Sequence, residues 1–164
     1  MFVTAKTAIK IYGKLSKVAD DLEEVIKEAA YKSFYNSEPC VLQAEKICNL
    51  IEKRNMVLDL KNRIKRALTS LDGEDFAVLV KRFGHGKEEI FCSDRTFYRR
   101  LNAALARFTT ALKFQGVTDE SLREVYGEKL NFVSVMHQVV ADEDKRFCEK
   151  SRSLAGKLKT ACRA

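Results

Sequence analysis

Proline is almost missing from this chain: Pro39 is the only one in 164 residues, and seven glycines supply the rest of the backbone punctuation. Proline costs a helix interior about 3 kcal/mol and glycine about 1, so their scarcity leaves long stretches free to be helical. No segment alternates polar and apolar residues long enough to argue for a strand. Tryptophan is absent and histidine occurs twice, as His85 and His137, with no H-x-x-x-H or H-E-x-x-H spacing; no metal site is expected. The five cysteines, Cys40, Cys48, Cys92, Cys148 and Cys162, are odd in number and widely spaced, with no C-x-x-C. That pattern suits neither a disulfide framework nor zinc, and reduced thiols in a cytoplasmic protein are the expectation. The longest apolar candidate, "LNFVSVMHQVVA", falls short of the roughly 20 residues that span a bilayer. The N-terminal "MFVTAKTAIKIYGK" lacks the order and cleavage site of a secretory signal, so no membrane partner is expected.

Enzyme constellations are equally scarce. "GHGK" lacks the preceding strand, the first-glycine spacing and the Ser/Thr that would make it a phosphate-binding loop. No cysteine has a base and an orienting group proposed for it by the sequence. The chain is therefore expected to be no enzyme, with no catalytic residue, no metal and no cofactor.

What is present is helical periodicity, and the fold class is all-α. Over about residues 4–34, Ile9, Tyr12, Leu15, Ala19, Leu22, Ile26 and Ala29 recur three or four apart, as in a long amphipathic helix. "NSEPC" breaks it, with Asn36 and Ser37 as turn residues and Pro39 in a first turn. A second helix to about residue 70 is expected to place Ile47, Ile51, Leu58, Ile64, Ala67 and Leu71 on one side. The short loop makes the two an antiparallel hairpin, and the heptad also permits a homodimer. "LDGED" opens a third helix, with Asp72 as N-cap and Phe76, Leu79, Val80 and Phe83 offered to the core. One further turn is expected at 87–91. Ser93 caps a helix to about residue 114, and Gly116 stops it. Thr118 starts a short helix to residue 126, and a last helix from about residue 128 carries Val133, Met136, Val140, Phe147, Leu154 and Leu158. The division is an N-terminal hairpin (1–70), a helix-turn-helix-like region (71–115) and C-terminal helices with a basic end (116–164).

The net charge of +7 is uneven: +1 over residues 1–80, +5 over 81–115, −5 over 116–144 and +6 over 145–164. A clustered positive field is the footprint of a polyanion binder. The first basic block contains "CSDRTFYRRLNAALARF". On a helical wheel Phe97, Leu101, Ala104, Leu105, Phe108, Ala111 and Leu112 share a core face. Opposite lie Arg95, Arg99, Asn102, Ala103 and Ala106, with Tyr98 on one flank and Arg100 and Arg107 on the other. Guanidinium groups reach phosphates or guanine edges, and small residues let a helix approach a major groove. Ser93 and Thr96 sit where a helix N-terminus receives a phosphate.

The run "RIKRALTSLDGEDFAVLVKRF…KEEIFCSDRTFYRRLNAALARFTTAL" resembles the region-4-like helix-turn-helix of bacterial sigma factors. It is similar to the phage and Firmicute regulators of the ArpU and RinA type. The resemblance covers about residues 63–112, under a third of the chain. It implies a bacterial or phage transcriptional regulator that binds double-stranded DNA, with RNA polymerase or another protein as a further partner. It places Ser93, Arg95, Thr96, Tyr98, Arg99 and Arg100 on the recognition helix and Lys81, Arg82 and Lys87 at backbone-contacting positions; Asn102 joins them from the wheel. Only "FC" separates Ile90 from Ser93, where the family has a longer stretch. Either the motif's first helix is the single turn at 87–91, or the helix at 74–83 takes its place with a long turn. The reading from another class is a non-enzymatic helical adaptor that binds a protein through its long amphipathic helices. Association of the basic end with a membrane surface ranks below both.

Overall fold

The computed structural model describes residues 2–35, 39–84 and 92–161, with side chains described up to Glu149, Cys148 excepted. Among them are six α-helices and no strand: α1 Val3–Ser33, α2 Cys40–Thr69, α3 Gly73–Phe83, α4 Asp94–Phe114, α5 Tyr126–Lys129 and α6 Asn131–Ala161. A wide π-helical turn, Ser121–Val125, leads directly into α5. Pro39, extended at φ −53° and ψ 131°, stands at the N-cap of α2, where its missing N–H costs nothing. Asp72 holds the N-cap position of α3, but its carboxylate accepts no N–H from the first turn.

The end of α4 shows how a few residues fix the chain's direction. Gly116 takes φ +73°, a left-handed conformation that residues with a Cβ resist. Val117 N–H then donates to Leu112 C=O at 2.9 Å and Gly116 N–H to Lys113 C=O at 3.0 Å, a Schellman closure. Two residues later Thr118 and Ser121 cap reciprocally: Thr118 N–H donates to Ser121 Oγ at 2.8 Å and Ser121 N–H to Thr118 Oγ1 at 3.1 Å. The chain is thereby turned back so that Leu122, Tyr126, Leu130 and Val133 enter the core.

One core cluster draws on the N-terminal half of α1 (Ala5, Ala8, Ile11, Leu15, Ala19), the C-terminal half of α2 (Val57, Leu60, Ile64, Ala67, Leu68) and the inner face of α4. Each fully buried Leu, Ile or Phe there contributes about 1.5–3 kcal/mol of transfer free energy. Polar links pin the elements around it. Tyr126 Oη donates to Asp59 Oδ2 at 2.9 Å, Arg63 Nη1 to the Gln115 carbonyl at 2.9 Å, and Lys10 pairs with Glu143 at 2.7 Å. Lys6 pairs with Asp144 beside it. Burial on α1 ends at Ala19 and on α2 begins at Val57. The distal parts of both helices therefore form a two-helix arm, steadied by Arg54–Glu23 at 2.8 Å. That crossing places residue 54 against residue 23, the antiparallel sense expected of the hairpin.

Several expectations change. The six-residue α2 stripe splits: Ile64 and Ala67 are buried, but Ile51 is 41 % exposed. At 100° per residue that stripe drifts around the helix, and the core follows Val57, Leu60 and Ile64 instead. Phe76 is 44 % exposed, because α3 turns Val78 and Leu79 inward. The helix expected to end at residue 126 continues through α5, and the last helix starts at Asn131, after Leu130 leaves helical geometry at φ −119°, ψ 76°. Phe147 is 72 % exposed, beyond the reach of the core that covers Val140. Asn36, Ser37, His85 and the turn at 87–91 lie outside the described residues, as do the side chains of Leu154 and Leu158.

Candidate nucleic-acid interface

α4 divides as its wheel predicts. Leu101, Ala104, Leu105, Phe108 and Leu112 are buried, with Phe97 and Ala111 packed at the edge of the core. Arg95, Arg99, Arg100, Asn102, Ala103 and Ala106 are exposed. This separation follows from the 3.6-residue period acting on a sequence whose apolar residues recur every three or four positions. Thr109 and Thr110 turn their hydroxyls back onto the carbonyls of Leu105 (2.7 Å) and Ala106 (3.2 Å). The outer face is thus arginine-rich in its first two turns and small beyond them.

Carboxylates hold nine of the described cations, and these three arginines are not among them. Lys6, Lys10, Lys27, Lys32, Arg54, Arg63, Arg107, Arg123 and Lys129 each sit on a carboxylate. Among the described residues Arg95, Arg99 and Arg100 have no such partner. Arg107, expected on the flank, is held by the buried carboxylate of Asp75 at 2.6 Å and so ties α4 to α3.

α3 brings Lys81 and Arg82 to the same end. Lys81 Nζ lies 5.7 Å from the centre of the Phe97 ring, and the Phe97 and Tyr98 rings meet edge-on at 5.7 Å. Lys81, Arg82, Cys92, Asp94, Phe97 and Tyr98 line a shallow cleft of about 250 Å³ between the end of α3 and the start of α4. The contacts Asp75–Arg107 and Lys81–Phe97 progress in opposite directions along the two helices, so the pair is antiparallel in sense. α3 packs against α4, while the other arrangement open in the sequence, a single turn at 87–91, lies outside the described residues. Residues 84–93 connect them, well beyond the three or four residues of a helix-turn-helix turn.

Ser93 and Thr96 are placed differently from the other candidates. Ser93 Oγ lies 3.0 Å from Thr96 Oγ1 and accepts the Thr96 N–H at 3.4 Å. Both hydroxyls are engaged in capping α4, and Asp94 already sets a negative charge in that first turn. Lys87 falls outside the described residues.

Elsewhere the polar groups serve the fold. His137, buried, has Nε2 2.6 Å from Asp119 Oδ1, which joins α6 to the start of the segment after α4. Tyr126 was not singled out in the sequence. Burial, then its hydrogen bond to Asp59, pushes its hydroxyl up to about 12, against the opposing influence of Arg63. Among the described residues no group of three His, Cys, Asp or Glu side chains is arranged to hold a metal ion. No helix among them is long and apolar enough to cross a membrane. No family model, curated protein or solved structure matches the chain.

Proposed function

We propose that this protein binds double-stranded DNA through the outer face of α4, with Lys81 and Arg82 of α3 beside it, in the manner of a bacterial or phage transcriptional regulator. The observation that carries this reading is the exposed trio Arg95, Arg99 and Arg100, clustered in the first two turns of one helix with no carboxylate partner among the described residues. Leaving guanidinium groups without carboxylates favours an external polyanion, because phosphate contacts release counterions that an internal pair would not hold. Asn102 and the alanines beyond it give a helix face that approaches a groove closely, and Tyr98 adds a hydroxyl on the flank. Ser93 and Thr96 contribute by fixing the helix start, and their backbone stands near any phosphate that docks there.

The test is duplex binding over a salt series, with wild type, Arg95→Ala and Arg99→Ala. A base contact costs about 1–3 kcal/mol on truncation, and a phosphate contact flattens the salt slope by about one unit. Absence of duplex binding at roughly 50 mM salt sinks the proposal, since non-specific electrostatic binding is strongest there.

The helical-adaptor reading has one observation in its favour. Tyr31, Phe34, Tyr35 and Val41 stand exposed around the tip of the α1–α2 arm, far from α4. Co-purification of a stoichiometric protein partner with nucleic-acid-free material would support it.

A further inference from the structure

The distal half of α2 carries a second stripe that the core does not use. Val41, Ala44, Cys48, Ile51, Asn55 and Leu58 follow one another at intervals of three and four, the spacing of the a and d positions of a heptad. Val41 is 69 % exposed, Ala44, Cys48, Ile51 and Asn55 are exposed, and only Leu58 reaches the core edge. None of the six is charged, although Glu45, Lys46, Glu52, Lys53, Arg54 and Asp59 crowd the same stretch of helix. Isolated exposed apolar residues are ordinary on any surface; an uncharged stripe in heptad spacing on a preformed helix is not.

The flanks say what covers it. On one side of the stripe, at the e positions, stand Glu45, Glu52 and Asp59, all acidic; on the other, the g positions hold Cys40, Ile47, Arg54 and Lys61, with no acid among them. In a parallel pair of identical helices, g of one faces e of the other, so Arg54 of one copy faces Asp59 of the second. In an antiparallel pair, e meets e and acid meets acid. Glu52, Asp59 and Arg54 keep their intrachain partners Lys129, Arg63 and Glu23, so the pattern chooses orientation and adds no new ion pair of its own. We infer that a second copy of this chain docks here, α2 against α2 in parallel about a two-fold axis. Asn55 at an a position fits that choice, since a single a-position Asn specifies register. The inference rests on α2 alone and stands whether or not α4 binds DNA.

The arrangement places two Cys48 side chains directly across the axis. The experiment uses the full chain with Cys40, Cys92, Cys148 and Cys162 each changed to Ser, without nucleic acid. Diamide oxidises the two facing thiols to a disulfide, taking up two protons and two electrons. The expected results are a species of twice 18.7 kDa whose share rises over about 1–100 µM, and its covalent capture through Cys48. Ile51→Lys puts two ammonium groups against each other and should abolish both, with helicity by circular dichroism unchanged because Ile51 lies outside the core. Lys46→Cys in a chain with all five native cysteines replaced by Ser moves the thiol off the stripe and should capture no dimer. A monomer at every concentration, a dimer indifferent to Ile51→Lys, or equal capture from position 46 would overturn the inference.

Discussion

Replacing Tyr126 with Phe separates two consequences of one buried hydroxyl. Tyr126 is 5 % exposed, and its Oη donates to Asp59 Oδ2 at 2.9 Å. A hydrogen bond to a charged acceptor is worth about 1.5–3 kcal/mol; Asp59 is half exposed and also bonded to Arg63, which places the loss at the low end. Near neutral pH, Tyr126→Phe should therefore destabilise the fold by about 1–2 kcal/mol. At high pH the sign of the comparison changes. The folded protein holds this proton up to about 12, whereas the unfolded chain releases it near the ordinary value of 10. The unfolded state then binds fewer protons, and wild-type stability falls as pH rises from about 10 through about 12. Two pKa units correspond to about 3 kcal/mol at the limit, with roughly half of it gone by pH 11. The variant has no such proton to lose. The gap between the two proteins should thus narrow from pH 8 to pH 11 and close or reverse beyond. Urea denaturation followed by circular dichroism at both pH values measures it, with the other titrating groups common to both chains. A gap that stays constant with pH would refute the assignment of Tyr126 as a buried donor to Asp59.

Two further outcomes test the core and the turn after α4. Thr7 is fully buried in α1, and its hydroxyl finds no partner among the described residues, so Thr7→Val should be neutral or stabilise by about 1 kcal/mol. Loss of more than that in a thermal melt would mean the hydroxyl is satisfied after all. Gly116→Ala should cost about 1–2 kcal/mol, because the φ of +73° resists a Cβ that would also stand 3.0 Å from Arg63 Nη1. Denaturant titration reads this directly, and an unchanged midpoint would contradict the turn geometry.

The sequence by itself determined that the protein is all-α, where most helices begin and end, and which face of α4 is buried. These are local matters: Gly116, Ser93 and Thr118 punctuate the chain through backbone conformation and capping, and the Phe97–Leu101–Phe108 seam repeats at the helical period. It also placed Arg95, Arg99 and Asn102 on the outer side. It did not determine which α2 residues face inward, because two overlapping stripes share that helix and both satisfy a three-four spacing. Nor did it separate Arg107 from the other arginines of α4, since the buried carboxylate that holds it belongs to Asp75, thirty-two residues away. Tyr126 was illegible for the same reason: its role depends on Asp59 and Arg63, which only packing brings beside it. Tertiary structure alone decided that α3 packs beside α4 across a long connection, and that the α1–α2 arm runs past the core with Val41 and Ile51 uncovered. Periodicity fixes a face relative to its own helix axis; which neighbour meets that face depends on contacts distant in sequence.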